Sequence, residues 1–97
     1  MKTIKEIKTV LKQHKSELQD RFSVKEIGVF GSYVKNGQRN RSDLDILVEF
    51  TVVPGFFQFI ELENHLGKIL GIKIDLVMKS ALKPVIGRHI LNEVVYV

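Results

Sequence analysis

The sequence predicts an α/β (α+β) domain, a small mixed β-sheet with helices packed chiefly on one side. Three observations carry this expectation. Apolar residues recur at helical spacing near the start of the chain and again between Phe56 and Leu70. Short strand-like runs lie between and after them, about Lys25 to Phe30, Leu44 to Thr51 and Ile72 to Met78. Neither a linker nor a repeat interrupts the 97 residues, so one domain over residues 1–97, with one core, is expected.

The first helix opens at Thr3-Ile4-Lys5-Glu6, which has the form of a capping box. It runs to about Asp20, with Ile4, Ile7, Leu11 and Leu18 on its apolar side. A strand follows and stops at Gly31-Ser32. The next residues start a short helix that Gly37 ends, and Gln38 to Arg41 form a polar, basic loop. After the second strand, Val52-Val53-Pro54-Gly55 turns the chain into a helix from about Phe56 to Leu70. Phe59, Leu62, Leu66, Ile69 and Leu70 form its stripe, which reads as core or partner interface rather than a cofactor box. Gly71 is placed as the helix stop. Beyond the third strand, Ser80 is placed to cap a turn and Pro84 stands at the first position of a last helix to about Glu93. The tail Val94 to Val97 either packs down or adds an edge strand.

The chemistry concentrates at two places. Gly31-Ser32-Tyr33 follows the apolar run Ile27-Gly28-Val29-Phe30, and ten residues separate Ser32 from Asp43-Leu44-Asp45. Residues two apart on a strand share a face and are separated by roughly 6.6 Å. Asp43 and Asp45 therefore project together, while Leu44, Ile46 and Val48 enter the core. Two such carboxylates repel unless a cation lies between them, and hard oxygen donors favour Mg²⁺ with substrate phosphates. At the turn, Gly31 removes the Cβ that would block a phosphate and Ser32 adds a hydroxyl donor. The amides that follow favour anions. Taken singly, Asp-x-Asp is a water-facing edge and Gly-Ser an ordinary turn; together they point to a metal-bound nucleoside triphosphate. Tyr33 either stacks near a base or packs beneath the short helix.

Asp75 interrupts the alternating run Ile72-Lys73-Ile74-Asp75-Leu76-Val77-Met78. Aspartate is disfavoured in a strand, so it calls for an ion pair, a bulge or a ligand. If its strand neighbours the Asp43–Asp45 strand, it completes a three-carboxylate cluster; an ion pair with a lysine or arginine is the alternative.

Gly31-Ser32, ten intervening residues, Asp43-x-Asp45 and the later strand Asp75 together resemble the nucleotidyltransferase superfamily that includes DNA polymerase beta. The likeness is greatest to its minimal MNT-type members, antitoxins of HEPN/MNT toxin–antitoxin pairs. It takes in Ser42 to Phe50, Leu70 to Val77, Ala81 to Pro84 and Glu93 to Val97, nearly the whole chain. The resemblance implies a nucleotidyltransferase-like fold and transfer of AMP from ATP to a tyrosine of the partner toxin. It implies two Mg²⁺ ions, about 3.5–4 Å apart, with Asp43 and Asp45 bridging both and Asp75 holding the one beside the acceptor hydroxyl. It further implies that Gly31 and Ser32 hold the outgoing pyrophosphate. None of the five matched positions departs from the pattern. The rival expectation is an antitoxin that neutralises its partner by contact alone.

Composition narrows the remaining classes. Hydrophobic residues make up 44% and charged residues 27%, an ordinary globular balance. No apolar run is long enough to span a bilayer, and there is no leader pattern. The absence of cysteine excludes a disulfide framework and suits a cytoplasmic setting. A net charge of +4 and a pI near 9.5 favour anionic partners. Much of the excess lies in Lys2, Lys5, Lys8, Lys12 and Lys15, which read as a solvated helix face. No aromatics interleave with them as a nucleic-acid platform would require, and nucleic-acid binding would leave three aspartates unexplained. His14, His65 and His89 are far apart in sequence, lie in no metal-ligand spacing and read as surface residues. A chain this short is expected to take its acceptor from a partner or from a second copy in a homo-oligomer.

Overall fold

The computed structural model describes residues 3–35 and 43–97. The expectations for Lys2, Gly37, the basic stretch Gln38 to Arg41 and Ser42 fall outside the described residues. Thr3 caps α1 (Ile4–Gln13) through the reciprocal pair its sequence promises. Its hydroxyl accepts from the Glu6 N–H at 3.2 Å, and Glu6 Oε1 accepts from the Thr3 N–H at 3.1 Å. Such a cap contributes about 1 kcal/mol.

The expected single helix to Asp20 is instead two. At His14 the backbone turns (φ −99°, ψ 5°) and α2 (Lys15–Phe22) begins. Neither glycine nor proline marks the break; the two segments lay Ile7, Leu11, Leu18 and Phe22 on the same core. Ser23 ends α2 at a positive φ of 58°. Its carbonyl accepts from both the N–H and the hydroxyl of Thr51, which fastens that corner.

The strands are β1 (Val24–Phe30), β2 (Leu44–Phe50), β3 (Ile74–Met78) and β4 (Val95–Tyr96), in the order β3-β2-β1-β4. β1 pairs antiparallel with β2 and with β4, while β2 and β3 are parallel, so the sheet is mixed. The parallel pair needs a crossover, supplied by α4 (Phe56–Leu70). Both expectations for the tail are met: Val95–Tyr96 adds an edge strand and Val97 packs against the core. On the opposite edge, the Glu63 carboxylate of α4 accepts from the Leu76 N–H at 3.0 Å. That covers one of the free amides that make an edge strand a liability.

α1, α2 and α4 cover one sheet face. Their Ile7, Leu11, Leu18, Phe22, Leu62, Leu66 and Leu70 meet Val29, Leu44, Ile46, Val48 and Leu76 in one buried cluster. Alternation in β2 therefore falls as the sequence predicts. In β1 it shifts at a bulge between Val24 and Glu26. Tyr33 is buried in the same cluster and serves as core. Gly71 closes α4 at φ +68°, where a left-handed residue is needed. Ser80 lies within a short 3₁₀ turn (Lys79–Ala81) that carries no side-chain cap, contrary to expectation. α5 (Pro84–Glu93) starts at its proline and leads into β4.

The histidine expectation needs correction. His14 and His65 are neither far apart nor fully exposed. Glu17 Oε1 lies 3.2 Å from His14 Nδ1 and 2.8 Å from His65 Nε2. These hydrogen bonds, that from His65 foremost, hold the Glu17 carboxyl below its ordinary range. Among the described residues, no helix is long and apolar enough to cross a membrane.

Candidate active site

Gly31 leaves β1 at φ +78°, a conformation that glycine adopts without strain. Its carbonyl accepts from the N–H groups of Val34 and Lys35, both at 3.0 Å, which closes α3 (Ser32–Lys35). A Cβ on Gly31 would collide with Oδ2 of Asp45. The sequence suggested a glycine that clears space for a phosphate. The fold adds a nearer reason, since the bare Cα lets the Asp45 carboxyl rest against the turn. Ser32 is half-buried, and among the described residues nothing bonds its hydroxyl.

Asp45 stands on β2 between two registered neighbours, Phe30 of β1 and Asp75 of β3. Opposed residues of paired strands share a face, so the parallel register places the two aspartates side by side. That face also carries Leu47, which is buried and lies outside the main core cluster. Asp45 is consequently half-sheltered while Asp75 is exposed. Burial first, then the charge of Asp75 and a carboxyl–carboxyl hydrogen bond with it, push the Asp45 carboxyl up from 3.8 to about 6. Asp43 and Glu93 add to the rise through charge alone.

The three predicted acids are thus not equivalent. Asp45 and Asp75 are brought together directly. Asp43 lies just before β2, exposed, and the three carboxylates do not all come within 4.8 Å of one another. Among the described residues, no lysine or arginine forms an ion pair with any of them. The ion-pair alternative for Asp75 therefore has no partner there.

One further acid was missed from the sequence. Glu93, the last residue of α5, accepts from the Gly31 N–H at 3.1 Å through Oε1. Its Oε2 lies 3.0 Å from Lys35 Nζ. No local spacing signals this, because turn and helix end meet only through the β1–β4 pairing, which returns the chain terminus to the strand before the turn.

The donor set fits a hard divalent cation. Its ligating atoms are carboxylate oxygens only, which suits Mg²⁺ and disfavours softer metals. Burial and the neighbouring carboxylates raise the Asp45 carboxyl to about 6, and among the described residues no lysine or arginine pairs with Asp43, Asp45 or Asp75 to offset their charge.

Comparison with known proteins agrees with this architecture. The chain is 54% identical over 97 residues to the protein adenylyltransferase MntA of Thermococcus cleftensis, covering 100% of this chain and 98% of that one. A solved structure assigned to the minimal nucleotidyltransferases superposes with a TM-score of 0.74 at 27% identity, covering 92% of this chain and 93% of the other. The MNT antitoxin–HEPN toxin complex of Shewanella oneidensis, its toxin tri-AMPylated, gives a TM-score of 0.67. There 93% of this chain and 70% of the other align at 21% identity, a likeness of fold. With the nucleotidyltransferase domain model matching residues 11–97, and a relative this similar over its whole length, the chain belongs to the nucleotidyltransferase domain family.

Proposed function

We propose that this chain is a metal-dependent protein adenylyltransferase that moves AMP from ATP to a hydroxyl of a partner protein, a HEPN toxin, as its antitoxin. The observation that carries the reading is the Asp45–Asp75 pair, in parallel register beside the Gly31-Ser32 turn. The name of the 54% identical relative and the AMPylated toxin bound to a protein of the same fold support it.

In this reading Asp43, Asp45 and Asp75 hold Mg²⁺. When bound, the ion offsets triphosphate charge and stabilises the attacking and leaving oxygens of an in-line displacement. The Ser32 hydroxyl and the Gly31 backbone hold the departing pyrophosphate. Asp75, exposed on the outer strand, takes the proton of the acceptor hydroxyl. The bond between the α-phosphorus and its bridging oxygen breaks as the acceptor oxygen bonds to that phosphorus. Positioning and charge account for most of such catalysis, so the short list of residues suffices. ATP as donor and a toxin as acceptor set the activity in the cytoplasm.

A second reading, neutralisation by contact alone, is favoured by a different surface. Val52, Val53, Phe56 and Phe57 are exposed by 67 to 84% where the chain enters α4. Apolar side chains grouped this way suit a protein interface. One experiment separates the two readings. Incubated with ATP, Mg²⁺ and its cognate toxin, the wild type adds whole adenylyl units to the toxin, read by intact-mass spectrometry. The Asp43→Asn/Asp45→Asn variant adds none and fails to silence the toxin in cells. Full silencing by that variant at matched expression would establish the contact reading instead.

A further inference from the structure

We propose that His14, Glu17 and His65 form a second metal site, for a borderline divalent transition ion such as Zn²⁺, that clamps the α1–α2 corner to α4. Three elements supply one donor each: the corner itself, the first turn of α2 and the middle of α4. The ligating atoms, His14 Nδ1, Glu17 Oε1 and His65 Nε2, all lie within 4.8 Å of one another. The two nitrogens stand 3.2 and 2.8 Å from the carboxylate oxygen between them. Bonds of about 2.0–2.2 Å to a tetrahedral ion place ligand atoms roughly 3.3–3.5 Å apart. The donors therefore need only small shifts to embrace one ion.

The chemistry of this triad differs from that of the aspartates. Two imidazoles and one carboxylate suit Zn²⁺ and its neighbours in the transition series, whereas an all-oxygen set selects a hard cation. The two sites are consequently separable by metal, and this one does not depend on the proposed activity. Orientation is already provided. The His65 ring packs on Phe22 at 5.5 Å between centroids and meets the His14 ring edge to face at 6.4 Å. The nearby Arg21 guanidinium is paired with Glu61 at 3.0 Å, which lessens its repulsion of an incoming cation. His65 is the most sheltered donor, at 18% side-chain exposure, and Glu17 the least, at 43%. The outer side thus has space for a water as fourth ligand. Binding replaces the two hydrogen bonds to Glu17, each imidazole coordinating as the neutral tautomer that carries its proton on the other ring nitrogen.

The test titrates the metal-stripped full chain with Zn²⁺ alone. One equivalent is expected to bind and to raise the thermal midpoint by at least about 5 °C, since an ion held only by the folded state stabilises it by mass action. In ¹⁵N spectra of the imidazoles, His14 should report metal at Nδ1 and His65 at Nε2. Exposed His89 should be unchanged as the internal control. His14→Ala should abolish the shift while retaining the fold, and His65→Asn serves as a second variant should loss of its ring disturb Phe22. Asp43→Asn/Asp45→Asn should bind Zn²⁺ as the wild type does. Zn²⁺ binding that survives His14→Ala and disappears in the aspartate variant would overturn the site. So would imidazole spectra that micromolar Zn²⁺ leaves unmoved, which would make the triad a hydrogen-bond network and nothing more.

Discussion

The Gly31 N–H donates to Glu93 Oε1 at 3.1 Å, so the end of α5 is fastened to the turn that flanks Asp45. The same carboxylate pairs with Lys35 one helical turn on, at 3.0 Å, and its charge helps to raise the Asp45 carboxyl. Glu93 therefore does two separable things. It holds the turn, and it makes the pocket more negative.

Substitution should divide these roles. Glu93→Gln keeps an acceptor of the same shape and removes the charge, whereas Glu93→Ala leaves the half-buried Gly31 N–H without its acceptor. A hydrogen bond to a charged group contributes about 1.5–3 kcal/mol. Glu93→Ala should lose a stability of that order, and Glu93→Gln clearly less, by chemical denaturation. Equal losses would show that the bond does not secure the turn.

Asp45 gives a pH dependence of definite sign. Its carboxyl titrates near 3.8 when unfolded and near about 6 when folded. Between those values the folded chain keeps a proton that the unfolded chain has released. Stability from this group is thus full below pH 3.8 and declines as pH rises through about 6. Denaturation midpoints of metal-free protein across that window should show the decline in wild type and lack it in Asp45→Asn. If both proteins follow the same curve, burial and the Asp75 charge do not raise the Asp45 carboxyl.

Gly31→Ala should be destabilising for two reasons. The left-handed backbone costs a side chain roughly 1–2 kcal/mol, and the new methyl collides with the Asp45 carboxyl. Combining it with Asp45→Ala removes only the second cost. The double-mutant cycle should therefore show the pair less destabilised than the sum of its singles. Strict additivity would mean that turn and carboxyl do not press on each other.

Ser32→Ala should leave metal-free stability nearly unchanged, since no described residue bonds the hydroxyl. Adenylyl transfer at limiting ATP should fall roughly 10- to 150-fold, the equivalent of one hydrogen bond to a charged phosphate. An unchanged rate would make the hydroxyl a bystander.

What the sequence made legible was local. Pro54-Gly55 and Gly71 bracket the apolar stripe of α4, which spans Phe56–Leu70 as predicted. Pro84 likewise opens α5, which ends at Glu93. Period-two alternation put Leu44, Ile46 and Val48 in the core and Asp43 and Asp45 on the other side. Non-local features were out of reach. Spacing could not say that β3 joins β2 in parallel, so the adjacency of Asp45 and Asp75 stood only as a condition. Glu93 reaches Gly31, and His65 reaches Glu17, across long stretches of chain that no motif connects. The corner at His14 carries no breaker residue, which is why one helix was expected where there are two.

The crossover through α4 also governs when the acidic pair comes into being. Strand pairing between β1 and β2 is antiparallel and near in sequence, whereas β2 meets β3 only after α4 has been laid across the sheet. Contacts between distant segments must meet the entropy of loop closure before they return anything. Asp45 and Asp75 repel only where β3 lies beside β2, an arrangement that Leu62, Leu66 and Leu70 hold from the α4 side. A truncated or newly emerging chain that ends within α4 would carry Asp43-x-Asp45 in full and yet have no acidic pair.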